Sequence, residues 1–276
     1  MPRLNIKDDI DFRKIIDSGQ VFTGRVLEEG RFSFIMQNYF IVIKQAGKES
    51  YDISCSKAEW EKILIPYFDL DNNYRKINLA LVKELKSNND EFLLNSLNFS
   101  KGIRILKQDP WEMLVSFIIS QRKGIPAIRT SIERLSNFFG EEIDELDGKA
   151  IYSFPSPEAL FKAKDSKLAK CGLGYRSKYV QDAARAVYSE ELDLAAIASL
   201  PDDELREALK TVSGVGDKVA NCIMLFAYGR GNSVPVDTWI NKIIEGQYSG
   251  TNPFLQYGDY AGLLQQYAFY FMQKNK

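Results

Sequence analysis

No histidine occurs in the 276-residue chain, so nucleophilic or acid–base chemistry falls to lysines and carboxylates. The three cysteines, Cys55, Cys171 and Cys222, are too scattered for a disulfide framework or a four-cysteine cluster site. The stretch best equipped for chemistry runs from Leu209 to Ile240. It holds a tight Ser213-Gly214-Val215-Gly216-Asp217 turn, Lys218 directly after it, and then Val234-Pro235-Val236-Asp237. Gly214 and Gly216 let the backbone turn its N–H groups outward at a helix start, which makes an anion site. Taken alone, Lys218 suits a phosphate contact there, and Asp237 suits a cap on the helix opening at Thr238.

The flanking elements are readable. Pro201-Asp202-Asp203-Glu204 opens a helix with proline and acids, and Val219, Cys222, Ile223 and Phe226 repeat on one helical face after the turn. The unit at about residues 202–228 therefore reads helix, hairpin, helix. A dinucleotide fingerprint is excluded: the third small residue, Ala220, falls one place late, and a helix rather than a strand precedes the glycines. A hairpin gripping a phosphate of the DNA backbone fits better. The net charge of −1 gives this no global support, so the distribution of charge has to. Arg122, Lys123, Arg129 and Arg134 form one basic group, and Lys162, Lys164, Lys167, Lys170, Arg176 and Lys178 another, while acids gather at 140–147 and 188–207.

The fold class expected is α+β, an N-terminal antiparallel sheet followed by a mainly α-helical region, divided as residues 1–100 and 101–276. Val21 to Val26, Arg31 to Gln37 and Tyr39 to Lys44 have strand composition, with breaks at Glu28-Glu29-Gly30 and Gln37-Asn38. Ala58 to Tyr67 reads as helix. Trp111 to Ser120 is apolar nearly all round and belongs in the core, entered by an Asp109 cap and Pro110. Residues 125–140 and 156–190 add helices, then Trp239 to Glu245 and Tyr260 to Gln273. No apolar run reaches membrane-span length, and the N-terminus lacks a signal-peptide core, so an intracellular location and no membrane are expected.

These motifs resemble the helix-hairpin-helix base-excision DNA glycosylases, above all the 8-oxoguanine DNA glycosylase/lyase branch. Hairpin, lysine and aspartate occur together and in order. Tyr67-Phe68-Asp69-Leu70-Asp71, the Ile103 to Pro110 segment and Gly172-Leu173-Gly174-Tyr175-Arg176 match further family segments. By resemblance, Gly19 in Ser18-Gly19-Gln20 turns its carbonyl to the damaged base, Gln265 recognises that base and Phe269 stacks on it. Tyr175 wedges the duplex and Arg176 faces the partner base. Arg122 stands where relatives carry the asparagine that fills the vacated space. Ala127 replaces the arginine that reads the orphaned cytosine, and Trp239 replaces a phosphate-contacting histidine.

The resemblance also implies the chemistry. Breaking the bond from a purine nitrogen to C1′ builds oxocarbenium character, which Asp237 would stabilise. Lys218 would attack C1′ as a neutral amine and form a Schiff base that permits strand cleavage. Its place at a helix start disfavours the protonated form. Cys222, one turn on, would touch the base or the lysine, or be a core cysteine. The partner implied is double-stranded DNA containing a damaged base, bound by a monomer. No cofactor or catalytic metal is required, although hairpin carbonyls could hold a structural cation. Two alternatives stand beside this reading: a monofunctional alkylpurine glycosylase, which lacks the lysine, and a non-catalytic DNA-binding hairpin module.

Overall fold

A computed structural model describes residues 2–28 and 30–275. Five short strands open the chain: β1 (Arg3–Asn5), β2 (Arg25–Glu28), β3 (Arg31–Met36), β4 (Tyr39–Gln45) and β5 (Ser50–Ile53). They form an antiparallel sheet in the order β1-β5-β4-β3-β2. Alternation puts Phe32, Phe34 and Met36 on the covered face, where Phe34 pairs with Ile41 and Phe32 with Ile43. The cover is α1 (Phe12–Asp17), whose Phe12 ring meets Phe34, Tyr51 and Phe68 edge-on.

The expected strand from Val21 begins only at Arg25. Val21 and Phe22 are both buried but in different cores, Val21 under the sheet and Phe22 among the helices. Consecutive burial breaks the period of two, and the segment becomes a bridge between layers. Of the break at Glu28-Glu29-Gly30, Glu29 lies outside the described residues; Gly30 turns with φ +72°. The helix expected at Ala58 to Tyr67 is present as α2 (Lys57–Glu59), a wider π turn (Trp60–Leu64) and α3 (Ile65–Tyr67).

The remainder is mostly helical. α4 (Tyr74–Ser87) and α5 (Glu91–Ser100) follow, and then Arg104 ties the sheet's exit to the next helix. Its fully buried guanidinium donates to the carbonyls of Phe68 (2.8 Å) and Asn72 (2.7 Å), pairs with Asp8 (2.9 Å) and stacks on Tyr74. α6 (Pro110–Ser120) is buried along almost its whole length, capped by Asp109 Oδ1 accepting from Glu112 N at 2.9 Å. Around it pack α7 (Ile125–Phe139), α10 (Arg176–Tyr188) and α12 (Asp217–Phe226). Between α7 and α10 lie a hairpin of β6 (Glu142–Leu146) and β7 (Lys149–Tyr152) and two short helices, α8 (Pro157–Phe161) and α9 (Asp165–Lys170). The acids at 140–147 therefore include an edge of strand.

α11 (Asp202–Lys210) precedes the glycine turn, and α13 (Thr238–Tyr248) and α14 (Ala261–Lys274) end the chain. α13 and α14 share a third core with α4 and α5, fastened by Ser100 Oγ on the Tyr267 carbonyl at 2.8 Å. Residues 74–100 thus share their core with the C-terminal helices. Among the described residues no helix is long and apolar enough to cross a membrane.

Candidate active site

The hairpin between α11 and α12 is set by one glycine more than the other. Gly214 has φ +85°, and a Cβ there would lie 2.6 Å from the Tyr179 ring, so the backbone rests flat on that aromatic. Gly216 has an ordinary extended backbone, and nothing lies within 4 Å of where its Cβ would be. The first glycine is required by packing. The second leaves an open approach at the start of α12, where the helix dipole favours an anion.

Lys218 occupies the first turn of α12, half-buried. Its Nζ is 3.4 Å from Ser120 Oγ at the end of α6 and 5.2 Å from the Phe117 ring centroid. Asp237 arrives from the other side as the cap of α13. Its Oδ1 accepts from both Trp239 N and Ile240 N at 2.9 Å, so the cap makes no claim on Oδ2. Lysine and aspartate line the same cavity of about 100 Å³. Cys222 lies deeper in that wall. Burial pushes its thiol up, and the adjacent Lys218 opposes this.

The opposite wall comes from α14 and the turn after α1. Gln265 is 3% exposed, and its Oε1 has no hydrogen-bond partner among the described residues. A buried orphan acceptor is costly, and Gln265 lines the cavity that Lys218 and Asp237 share. Gly19 has φ +79°, with Ile125 Cδ1 and Phe269 Cε1 at 2.7 and 3.3 Å from where its Cβ would be. The turn is pinned on both sides: Gln20 Oε1 accepts from Leu106 N at 2.9 Å, and Gln266 Nε2 donates to the Ser18 carbonyl at 2.7 Å. Sequence reasoning passed over Gln20 and Gln266, each adjacent to a residue it named. It gave Ser120 and Ile125 no part in the wall, and Lys123 a part only in a basic group.

The cavity opens into a broad groove of about 920 Å³ that carries Arg122, Lys123, Lys218 and Lys242. Lys242 lies over the Trp239 ring at 5.1 Å. Arg122 is exposed at the tip of the α6–α7 turn with φ +51°, an uncommon backbone for a long side chain. Tyr175 is 55% exposed at the N-terminus of α10, its ring edge-on to Tyr179. Arg176 does not stand beside it in solvent. It is 7% exposed, donates to the carbonyls of Gln121 and Leu173, and stacks on Tyr175. A second cavity of about 480 Å³ lies apart from these residues. Four of its charges are paired, Lys107 with Asp69 at 2.7 Å and Arg230 with Asp202 at 3.4 Å.

A helix-hairpin-helix beside a basic groove, with a lysine and an aspartate at the mouth of a buried pocket, defines a base-excision class of DNA enzyme. Residues 3–114 match the model of the 8-oxoguanine DNA glycosylase N-terminal domain, and residues 115–252 that of the HhH-GPD superfamily base excision DNA repair proteins. The chain belongs to the HhH-GPD superfamily and carries the 8-oxoguanine DNA glycosylase N-terminal domain. It is 30% identical to a probable N-glycosylase/DNA lyase of Methanothermobacter thermautotrophicus, over 74% of this chain and 77% of that one. It is 29% identical to the N-glycosylase/DNA lyase of Saccharomyces cerevisiae, over 84% of this chain and 70% of that one.

Among solved structures, Clostridium acetobutylicum 8-oxoguanine glycosylase/lyase in complex with double-stranded DNA superposes with a TM-score of 0.88. The identity is 33%, covering 100% of this chain and 98% of that one. The 3-methyladenine DNA-glycosylase of Archaeoglobus fulgidus, at 20% identity and a TM-score of 0.75 over 99% of each chain, shares the fold.

Proposed function

We propose that the chain is a bifunctional DNA glycosylase/AP lyase that excises 8-oxoguanine from duplex DNA through a Schiff base on Lys218. The observation that carries the proposal is the convergence of Lys218 and Asp237, from separate helix starts, on one pocket that also holds the orphaned Gln265 acceptor. Similarity to the Clostridium acetobutylicum 8-oxoguanine glycosylase/lyase over nearly the whole chain supports the substrate.

The duplex lies along the basic groove, with the hairpin on its phosphates and Tyr175 pressed beside the extruded nucleotide. The base enters between Gly19 and Phe269, with Gln265 completing its hydrogen bonds. At about 100 Å³ the cavity is well below the ~300–1,000 Å³ of ordinary ligand sites, so Phe269 and Ile125, which meet over Gly19, part to admit it. As the bond from the purine nitrogen to C1′ lengthens, Asp237 stabilises the positive sugar through the oxygen its cap leaves free. The neutral Lys218 amine bonds to C1′, and the base departs with the electron pair of the broken bond. Opening of the sugar ring gives the protonated imine. Loss of the C2′ proton then expels the 3′ phosphate. Arg122 fills the vacated space in place of an asparagine, and with Ala127 in place of an arginine the cytosine opposite is read weakly. The enzyme acts as a monomer, wherever the cell keeps its DNA.

The test is excision and nicking on duplexes carrying 8-oxoguanine opposite each of the four bases. Base release with strand cleavage, differing little among partners, is the expected result. Release without cleavage would return the chain to the monofunctional reading, and binding without release would leave a DNA-binding module.

A further inference from the structure

The turn after α6 is bound to its surroundings by more polar contacts than a surface turn needs, and they converge on Gln121. Its side-chain nitrogen donates to the Gly214 carbonyl at 2.9 Å and to the Ile118 carbonyl at 3.1 Å. Both partners are acceptors, so the amide nitrogen must face them. The backbone carbonyl of the same residue accepts from Arg176 Nε at 2.8 Å and from its Nη2. Arg176 in turn holds the Leu173 carbonyl at 3.1 Å, and Lys123 Nζ donates to the Gly172 carbonyl at 2.7 Å and Ser131 Oγ at 2.6 Å.

One residue therefore joins the hairpin, the α6–α7 turn and the turn before α10. The hairpin is gripped twice, by the Tyr179 ring under Gly214 and by Gln121 on the Gly214 carbonyl. Lys218 begins four residues beyond that carbonyl, and its amine meets Ser120, the neighbour of Gln121, at 3.4 Å. The position of the amine relative to α6 is thus fixed at both ends by two adjacent residues, Gln121 at the hairpin and Ser120 at the amine.

We propose that Gln121 is a positioning residue for the Lys218 nucleophile, acting through its bond to the hairpin carbonyl. The inference rests on the lysine reading above. Gln121 touches neither base nor sugar. Its role is to keep the hairpin, which leads straight into the lysine's helix, in register with the end of α6, because a misplaced nucleophile loses most of its advantage.

The test uses the full chain with Gln121→Met, which keeps the length and removes the donor, and Gln121→Glu, which sets a carboxylate against the carbonyl. Gln181→Met, which removes a loop tie to the Ala163 carbonyl remote from the site, serves as control. Single-turnover rates are normalised to active enzyme by borohydride titration. Both Gln121 variants should fall about tenfold or more, the worth of one such bond, while affinity for a duplex with an uncleavable abasic analogue stays within about twofold. The control should be unchanged. Unaltered Gln121-variant rates, or rate loss matched by equal loss of affinity, would overturn the proposal.

Amide exchange at residues 215–218 reads the hairpin without turnover. Faster exchange in Gln121→Met is expected, and unchanged exchange counts against the tie even if the variant is too unstable for kinetics. If wild-type enzyme forms no adduct, the lysine reading fails first, and exchange still decides whether Gln121 holds the hairpin.

Discussion

Glu112 offers a sharp test of the packing around α6. It is buried in the first turn of that helix, and burial, with Asp109 nearby, pushes its carboxyl from 4.5 up to about 8. Its Oε1 lies 3.2 Å from Thr23 Oγ1, which is also 3.2 Å from the Ile35 carbonyl. A hydroxyl has one proton to give. With Glu112 protonated, its O–H donates to Thr23 and Thr23 donates to Ile35, so every group is satisfied. With Glu112 ionised, one acceptor goes without. The folded protein therefore keeps a proton that the unfolded chain releases. The contribution of this group is greatest below about pH 4.5, falls as pH rises through the window, and levels off above about pH 8.

The gap between those values, at about 1.36 kcal/mol per pH unit, puts an upper bound of roughly 4–5 kcal/mol on the loss. In Glu112→Gln the neutral amide can donate to Thr23 at every pH. Urea unfolding of wild type and Glu112→Gln at pH 5, 7 and 9 is the assay. The two should be close at pH 5, and the variant should lead by several kcal/mol at pH 9. A variant no more stable than wild type at pH 9, or one with the same pH slope, would refute the reasoning.

Further predictions separate structure from chemistry at the pocket. Asp237→Asn should keep the cap on Trp239 and Ile240 and hold the melting temperature, yet lose excision by at least a hundredfold; Asp237→Ala should lose both, with about 1 kcal/mol of stability by urea unfolding. Gln265→Leu removes a buried acceptor that has no partner, so stability should rise by about 1 kcal/mol while excision of 8-oxoguanine drops, as single-turnover assays would show. Gly214→Ala meets the Tyr179 ring and an unfavourable φ together, and should cost about 1–3 kcal/mol in unfolding and weaken binding of undamaged duplex in fluorescence anisotropy.

What the sequence disclosed is what local chemistry dictates. The hairpin, the Asp109-Pro110 helix start and the Asp237 cap are each set by residues within one turn of one another. The strands β3 and β4 showed because alternation runs through six or seven residues. β1 did not: three residues pair with β5, nearly fifty positions away, and carry no period of their own. The β6–β7 hairpin did have a local signal, since Asp147 and Gly148 both take positive φ as a tight two-residue turn requires. Its acids drew attention to charge instead. Arg176 was illegible because a guanidinium is buried only when carbonyls converge on it, and those of Gln121 and Leu173 converge only in the fold. For Gln265 the motif position was readable, but its burial without a partner is a property of the packed pocket.

The most direct measurement is borohydride trapping on a duplex containing 8-oxoguanine opposite cytosine, comparing wild type with Lys218→Gln. A covalent protein–DNA adduct with wild type that disappears in the variant, while the variant still binds the duplex, is the predicted result. An adduct that persists in Lys218→Gln, or base release by wild type with no adduct at all, would contradict the assignment of Lys218 as the nucleophile.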